Sequence, residues 1–297
     1  MTSTMPTRSG GDLATLSAPF VRGDAAPLRA ALLVAPSPAL AARRPLQSES
    51  NSIPERAEEQ HAIFAARLRA HGVAVRVLPA SEHAALGALC ADAAVLFPDG
   101  AFLLRPSELN RRGEVAALEA ALEASGVPVV ARLASPGLLD GGDVMFSGDT
   151  LYLGVATSRA SEVGLPGWAR GNAHGRAQLA AYARDHGWKV VEVALASEAI
   201  RLRAVAALLA PDAVVLAPGL CDANAFAGLQ TVEAPRGEDY AAGVLALGNR
   251  HLIANVRFRQ TIPLLRRAKF VVDAIDLWEF GKIGATPSLL ALALKRG

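Results

Sequence analysis

The run Gly187-Trp188-Lys189-Val190-Val191-Glu192-Val193 follows a helix-like segment, Ala177–His186, and the pair recurs down the chain. Gly72-Val-Ala-Val-Arg-Val-Leu78 follows Glu55–His71. Gly126-Val-Pro-Val-Val130 follows Arg112–Ser125, whose Val115, Leu118 and Leu122 fall at helical spacing. Gly228-Leu-Gln-Thr-Val-Glu233 follows the short Asn224–Ala227, and Ala268–Ile275 follows Thr261–Arg267, with Lys269 where the glycine would stand. Glycine suits the left-handed residue that ends a helix, and the residues after it alternate or run apolar, as strands do.

Further strand candidates lie between these pairs: Ala30–Val34, Ala93–Phe97, Ala101–Leu104, Met145–Phe146, Leu151–Val155, Val214–Ala217 and His251–Asn255. Each unit therefore reads strand, strand, helix, strand, and there are five. Such ββαβ-type units cannot bury their apolar faces alone, so the expectation is an α/β ring with strands inside and helices outside. A doubly wound sheet would want a G-x-G-x-x-G after a strand, and none occurs. In a ring the strand ends converge on one axis. The site is then expected from Asp92, the Asp140–Asp143 turn, the neighbourhood of Arg201 and the C-terminal segment.

Composition narrows the classes. With 297 residues, 52% hydrophobic and 20% charged, the chain is an ordinary core-forming protein. Its net charge of +2 gives no footprint for nucleic acid, and the pairs Arg43-Arg44, Arg111-Arg112 and Arg266-Arg267 read as solvated surface or local ion pairs. Cys90 and Cys221 form neither a disulfide framework nor a metal motif, so no metal and no cofactor are expected. Residues 1–24, rich in Ser, Thr, Gly and Pro, read as a flexible segment ahead of a single domain over 25–297. They lack the apolar run of a signal peptide. No run of 18 apolar residues occurs, so no membrane partner is expected, and the reading is a cytoplasmic protein.

Leu139-Asp140-Gly141-Gly142-Asp143-Val144 carries the chemistry. Two carboxylates bracket a glycine pair that lets the backbone turn tightly and present its amides. Such a turn suits a guanidinium, which meets carboxylates two hydrogen bonds at a time. A surface hairpin turn would read the same way.

These residues, with Ala31–Pro38, Asp92-Ala-Ala-Val95, Leu104-Arg-Pro-Ser-Glu-Leu-Asn-Arg-Arg-Gly-Glu114 and Glu279-Phe-Gly-Lys-Ile283, resemble the dimethylarginine dimethylaminohydrolase family. That family lies in the guanidine-modifying superfamily with the five-bladed pentein α/β propeller, beside the arginine deiminases and amidinotransferases. The likeness spans about Ala30 to Leu294. It implies that Asp92 grips a substrate guanidinium, although the acid usually before it is Ala91 here. It implies that Arg111 receives the substrate's α-carboxylate, and that Asp140, with Asp143 closing the same turn, orients the catalytic histidine or the guanidinium. A second arginine falls near Ser158 and Arg159, with Ala160–Ala169 read as an insertion. Arg170-Gly-Asn-Ala-His-Gly175 is the alternative match.

The same resemblance exposes two departures. The family's chemistry uses a cysteine thiolate that attacks the guanidinium carbon and a histidine that shuttles protons. The histidine belongs in a His-Leu-Lys run; here the run is Ile200-Arg201-Leu202-Arg203. The cysteine belongs after a Gly-Gly-x-Ser stretch; here that stretch ends at Ser288-Leu289. A leucine is no nucleophile, and an arginine does not shuttle protons near neutrality. Neither thiol is expected to substitute. Cys90 could share a strand face with Asp92, Ser288 should face away, and His174 and His251 are the candidate bases if a thiol does act. The other histidines, His61, His71, His83 and His186, read as surface residues. Arg201 is expected to pair with Asp140 or Asp143, or else to hold an anion together with Arg111.

The leading expectation is a non-catalytic relative, either a small-molecule binder for an arginine-like or anionic ligand or a subunit of a complex, with a homodimer left open. The alternative is a hydrolase or amidinotransferase that acts on a guanidino substrate through non-standard residues. A third, a structural or interaction protein of the kind seen in translation initiation factor 6, also a pentein, requires a cavity filled by side chains.

Overall fold

The computed structural model describes residues 16–156 and 171–297. Within them the chain forms five three-stranded sheets of one repeating pattern. The second sheet shows it. β3 (Ala94–Leu96) and β4 (Ala101–Leu103) pair antiparallel, and β5 (Val129–Arg132) returns parallel to β4. An antiparallel pair needs only a hairpin, but a parallel return needs a crossover, and α2 (Arg112–Glu123) supplies it. Leu118, Ala121 and Leu122 of α2 bury one face against Ala94, Leu96 and Leu103.

The third sheet repeats this order with β6 (Val144–Ser147), β7 (Thr150–Ala156), α3 (Ala173–Asp185) and β8 (Lys189–Leu195). The fourth has β9 (Ala206–Ala210), β10 (Ala213–Leu216) and β11 (Gln230–Glu233), crossing over through the short 3-10 turn Ala223–Phe226. The fifth has β12 (Leu245–Gly248), β13 (His251–Asn255), a seven-residue helix (Thr261–Arg267) and β14 (Val271–Ile275).

The first sheet is completed from the far end of the chain. β1 (Leu28–Val34) runs parallel to β2 (Ala74–Leu78) across α1 (Pro54–Ala70), and its antiparallel partner is β15 (Leu292–Arg296).

The helix-ending residues behave as expected. Gly187 has φ +81°, and Lys269, in the glycine's place of the fifth unit, takes φ +67°. Three strands fall outside the candidates named from sequence: β9, β12 and β15. Their runs Ala-Ala-Leu-Leu-Ala, Leu-Ala-Leu-Gly and Leu-Ala-Leu-Lys-Arg show no polar alternation, because β9 and β12 are buried throughout. Apolar runs this short carry no period that separates strand from helix.

Of the segment read as flexible, residues 16–24 are described, and they pack on the body. Phe20 and Val21 are buried, the Arg296 amide donates to the Phe20 carbonyl at 2.8 Å, and the Asp24 amide donates to that of Phe146 at 2.9 Å. Among the described residues no helix is long and apolar enough to cross a membrane.

Candidate functional site

Five segments bring the candidate side chains together. Asp92 lies in the 3-10 turn Cys90–Asp92 that enters β3. Arg111 ends the 3-10 turn Leu109–Arg111 before α2. Asp140 and Asp143 flank the turn Gly141–Asp143 that enters β6. Arg201 is extended, at φ −154° and ψ 154°, just before α4 (Leu202–Val205). Leu289 stands ahead of β15.

Asp92 is the centre and is fully buried, at 0% exposure. Its Oδ1 accepts from Arg201 Nε at 2.9 Å and from the Gly142 amide at 3.0 Å. Its Oδ2 accepts from Arg111 Nη1 at 2.7 Å and lies 2.8 Å from Arg201 Nη2. A carboxylate offers about four lone-pair sites; three of them accept hydrogen bonds and the Arg201 Nη2 contact crowds the fourth. Burial alone would raise the Asp92 carboxyl, but Arg201 and Arg111 outweigh it and hold it below the usual carboxylate range.

Asp140 is placed differently. Its Oδ2 is 3.4 Å from Arg201 Nη2, and its Oδ1 accepts from the Ser107 amide at 3.0 Å. Burial, then the neighbouring Asp92 charge, push it up to about 7 against the pull of Arg201 and Arg111. Asp143 uses Oδ1 to accept the Leu202 amide at 2.8 Å, satisfying an N–H at the start of α4. The expected pairing of Arg201 with Asp140 is therefore present but secondary to its bidentate hold on Asp92.

Arg111 is buried, so of the two readings of its pair, solvated surface or local ion pair, it takes the second. Besides Asp92 it donates to Glu114, with Nη2 at 3.0 Å from Oε2, and to the carbonyls of Leu86 and Leu89 at 3.2 and 3.1 Å. Glu114 was quoted within its motif but given no role. Its spacing of three residues along a helix start is the signal that could have found it. Gly142 is the other missed contributor. A Cβ there would stand 2.8 Å from both Asp92 Oδ1 and Leu289 Cδ2 and would collide with Arg201 Cδ, so only a glycine admits this packing. Leu289 is fully buried at 0% exposure, and Arg201 is 8% exposed. Arg159, Ser158, Arg170 and the insertion Ala160–Ala169 lie outside the described residues.

The thiols stand elsewhere. Residues 90–92 form a turn and not a strand, so Cys90 does not share a face with Asp92. Its Sγ points to the carbonyls of Leu32 and Leu290, at 3.3 and 3.5 Å, and burial pushes the thiol up to about 12. Cys221 Sγ is 3.9 Å from the Val205 carbonyl, and burial, with Asp222, raises it to about 11. Ser288 Oγ donates to the Arg203 carbonyl at 3.0 Å.

His174 is an exposed residue of α3, and His251 Nδ1 lies 3.0 Å from the Asn249 carbonyl. His61, read as a surface residue, is instead buried beside Phe280, where desolvation, with Arg69, lowers it to about 4. The α1 pattern around it, with Phe64 and Leu68 at helical spacing, turns it inward. Among the described residues no three His, Cys, Asp or Glu side chains are grouped to hold a metal ion.

No family model matches the chain. It is 29% identical over 270 residues to the dimethylarginine dimethylaminohydrolase of Streptomyces coelicolor, covering 91% of this chain and 98% of that one. Its fold is similar to that of the Pseudomonas aeruginosa dimethylarginine dimethylaminohydrolase, solved as a cysteine-to-serine variant complexed with citrulline. There the TM-score is 0.79 at 24% identity, over 90% of this chain and 99% of that one. It is also similar to an amidinotransferase of the saxitoxin biosynthetic pathway from Microseira wollei, with TM-score 0.78 at 15% identity over 93% and 97% of the two chains. The repeating sheets and these likenesses together make the chain a dimethylarginine dimethylaminohydrolase-like protein of the pentein fold, similar in sequence to dimethylarginine dimethylaminohydrolases at modest identity.

Proposed function

We propose that this chain is a non-catalytic relative of the guanidine-modifying enzymes, working as a binder or as a subunit of a complex. The observation that carries the proposal is the saturation of Asp92. The residue that the resemblance gives the task of gripping a substrate guanidinium already holds one, that of Arg201, with Arg111 and the Gly142 amide on its remaining positions. A guanidino ligand would have to expel a buried side chain and leave its charge unpaired, which costs several kcal/mol, about 3–5.

The chemistry of nucleophilic attack meets the same obstacle. Both thiols contact backbone carbonyls and are raised in pKa, and an effective thiolate needs the opposite. A side-chain-filled hub also favours the reading as a structural or interaction protein, because Arg201 and Leu289 occupy the axis. The enzymatic reading draws on the named relatives and on Asp140, whose value near 7 would suit a general base. Neither thiol supports it, because the contacts of both run to backbone carbonyls and not to that base.

The deciding experiment incubates purified protein with arginine, methylarginines and agmatine, and scores citrulline, urea and amine release. No turnover is expected. Robust turnover abolished by Cys90→Ser or Cys221→Ser would overturn the proposal.

A further inference from the structure

Beside the Asp92 cluster lies a second set of charges, Asp24, Arg203 and Arg296, of which only Arg203 falls in a family motif. Arg203, two residues after Arg201, lies within α4. Its Nε donates to the Val144 carbonyl at 2.6 Å, and its Nη2 holds Asp24 at 2.9 and 2.8 Å. Asp24 also accepts the Phe146 amide at 2.9 Å. Arg296, at the end of β15, donates through Nη1 to the carbonyls of Ala26 and Ala246, at 2.7 and 2.9 Å. Its Nε is buried and has no hydrogen-bond partner.

Two guanidinium groups therefore face one carboxylate, and Arg203 already engages that carboxylate through both oxygens. One positive charge is left over in a setting where Arg296 is only 5% exposed. Burial, opposed only in part by Asp24, lowers the Arg296 guanidinium to about 10. Buried charges are ordinarily paired, because an uncompensated one is costly. Asp24, Arg203 and Arg296 line a cavity of about 30 Å³, walled further by Ala91, Gly141 and Leu292. A single water needs roughly 10–15 Å³ of such space. The cavity has room for a monatomic ion and is too small for an organic carboxylate.

We propose that this cavity binds a monovalent anion of chloride size, held by the Arg296 Nε with the positive field of Arg203. The ion balances the leftover charge and ties β15 to the segment around Asp24. The site is independent of whether Asp92 and Arg201 take part in catalysis.

Two measurements test it. Thermal unfolding in sodium chloride or bromide, against sodium gluconate at equal ionic strength, should show a saturating rise of about 2–4 °C in Tm. Arg296→Met should lose that rise. Because this variant could fail to fold, crystals of the unaltered protein grown in bromide provide the second reading. An anomalous peak within hydrogen-bond reach of Arg296 Nε is expected. An ordered water in that place under saturating bromide, or identical Tm values in halide and gluconate, would overturn the proposal.

Discussion

Arg201 and Asp92 meet as a two-point pair, Nε to Oδ1 at 2.9 Å and Nη2 to Oδ2 at 2.8 Å, out of reach of solvent. The geometry is that of a guanidinium recognised by a carboxylate, with both partners drawn from one chain. Its energetics follow from burial. Two charges out of water are tolerated only while each has the other.

Asp92→Ala is expected to destabilise the fold by about 3–5 kcal/mol, because it removes the carboxylate that two buried guanidinium groups share and leaves Arg201 only the longer contact with Asp140. Arg201→Met leaves Asp92 still held by Arg111 and should cost less. Urea unfolding of both variants tests the order. Equal costs, or a negligible one for Asp92→Ala, would show that the cluster is not held by this carboxylate.

Asp140 should make stability fall as pH rises. Its folded value near 7 lies above the ordinary carboxylate value, so between the two the folded protein holds a proton that the unfolded chain has released. That contribution is whole below the ordinary value and gone once pH passes about 7. Asp140→Asn should flatten the profile between pH 4.5 and 8, measured as urea midpoints. Asp92 acts in the opposite sense. Its lowered value adds stability above the usual carboxylate range and loses it on acidification. Superimposable profiles for wild type and Asp140→Asn would contradict this account.

Gly142→Ala should cost well over the ~1 kcal/mol typical of glycine replacement in a helix or strand. The new methyl meets Arg201 Cδ, a stem atom fixed by the pair with Asp92. In an Arg201→Ala background the same change should cost less, because the tightest clash is gone while those with Asp92 and Leu289 remain, and a double-mutant cycle measures the coupling. Additive costs would mean that the two residues do not press on each other.

Leu289→Cys, in a Cys90→Ala and Cys221→Ser background, should leave one thiol, which an aromatic disulfide reagent labels only at the rate of unfolding. Leu289 is wholly buried against Gly142. Adding Arg201→Ala opens the axis, and labelling is expected to accelerate at least tenfold. Fast labelling of the single Leu289→Cys protein would show that Arg201 does not seal the hub.

The architecture could be read wherever punctuation was strong. Gly72, Gly126, Gly187 and Gly228 each close a helix or turn with positive φ, and even Lys269 marks its unit's boundary by taking the same conformation. β9 and β12 were silent because uniformly apolar runs carry no period, and β15 because it ends in Lys295 and Arg296, the latter turned inward. At the site, the residues Asp92, Asp140, Arg201 and Leu289 were named, but their partnership was not. Which oxygen faces which guanidinium depends on the packing of turns more than a hundred residues apart, and Arg201 was assigned chiefly to the Asp140–Asp143 turn. Cys90 was misplaced for a local reason: a 3-10 turn and a strand send alternate residues in different directions. The Asp24, Arg203 and Arg296 cluster went unseen because its members come from three distant segments.

The pairing of β15 with β1 has a kinetic price. Arg29 and Gly297, joined by a hydrogen bond at the edge of that sheet, are separated by 268 positions. Until the last strand arrives, β1 presents an open edge able to recruit a neighbouring polypeptide, and closing so long a loop is entropically slow. A nascent chain would thus carry four sheets built from strands contiguous in sequence and one unfinished one, making that first edge the place where chaperone protection or misassembly would concentrate.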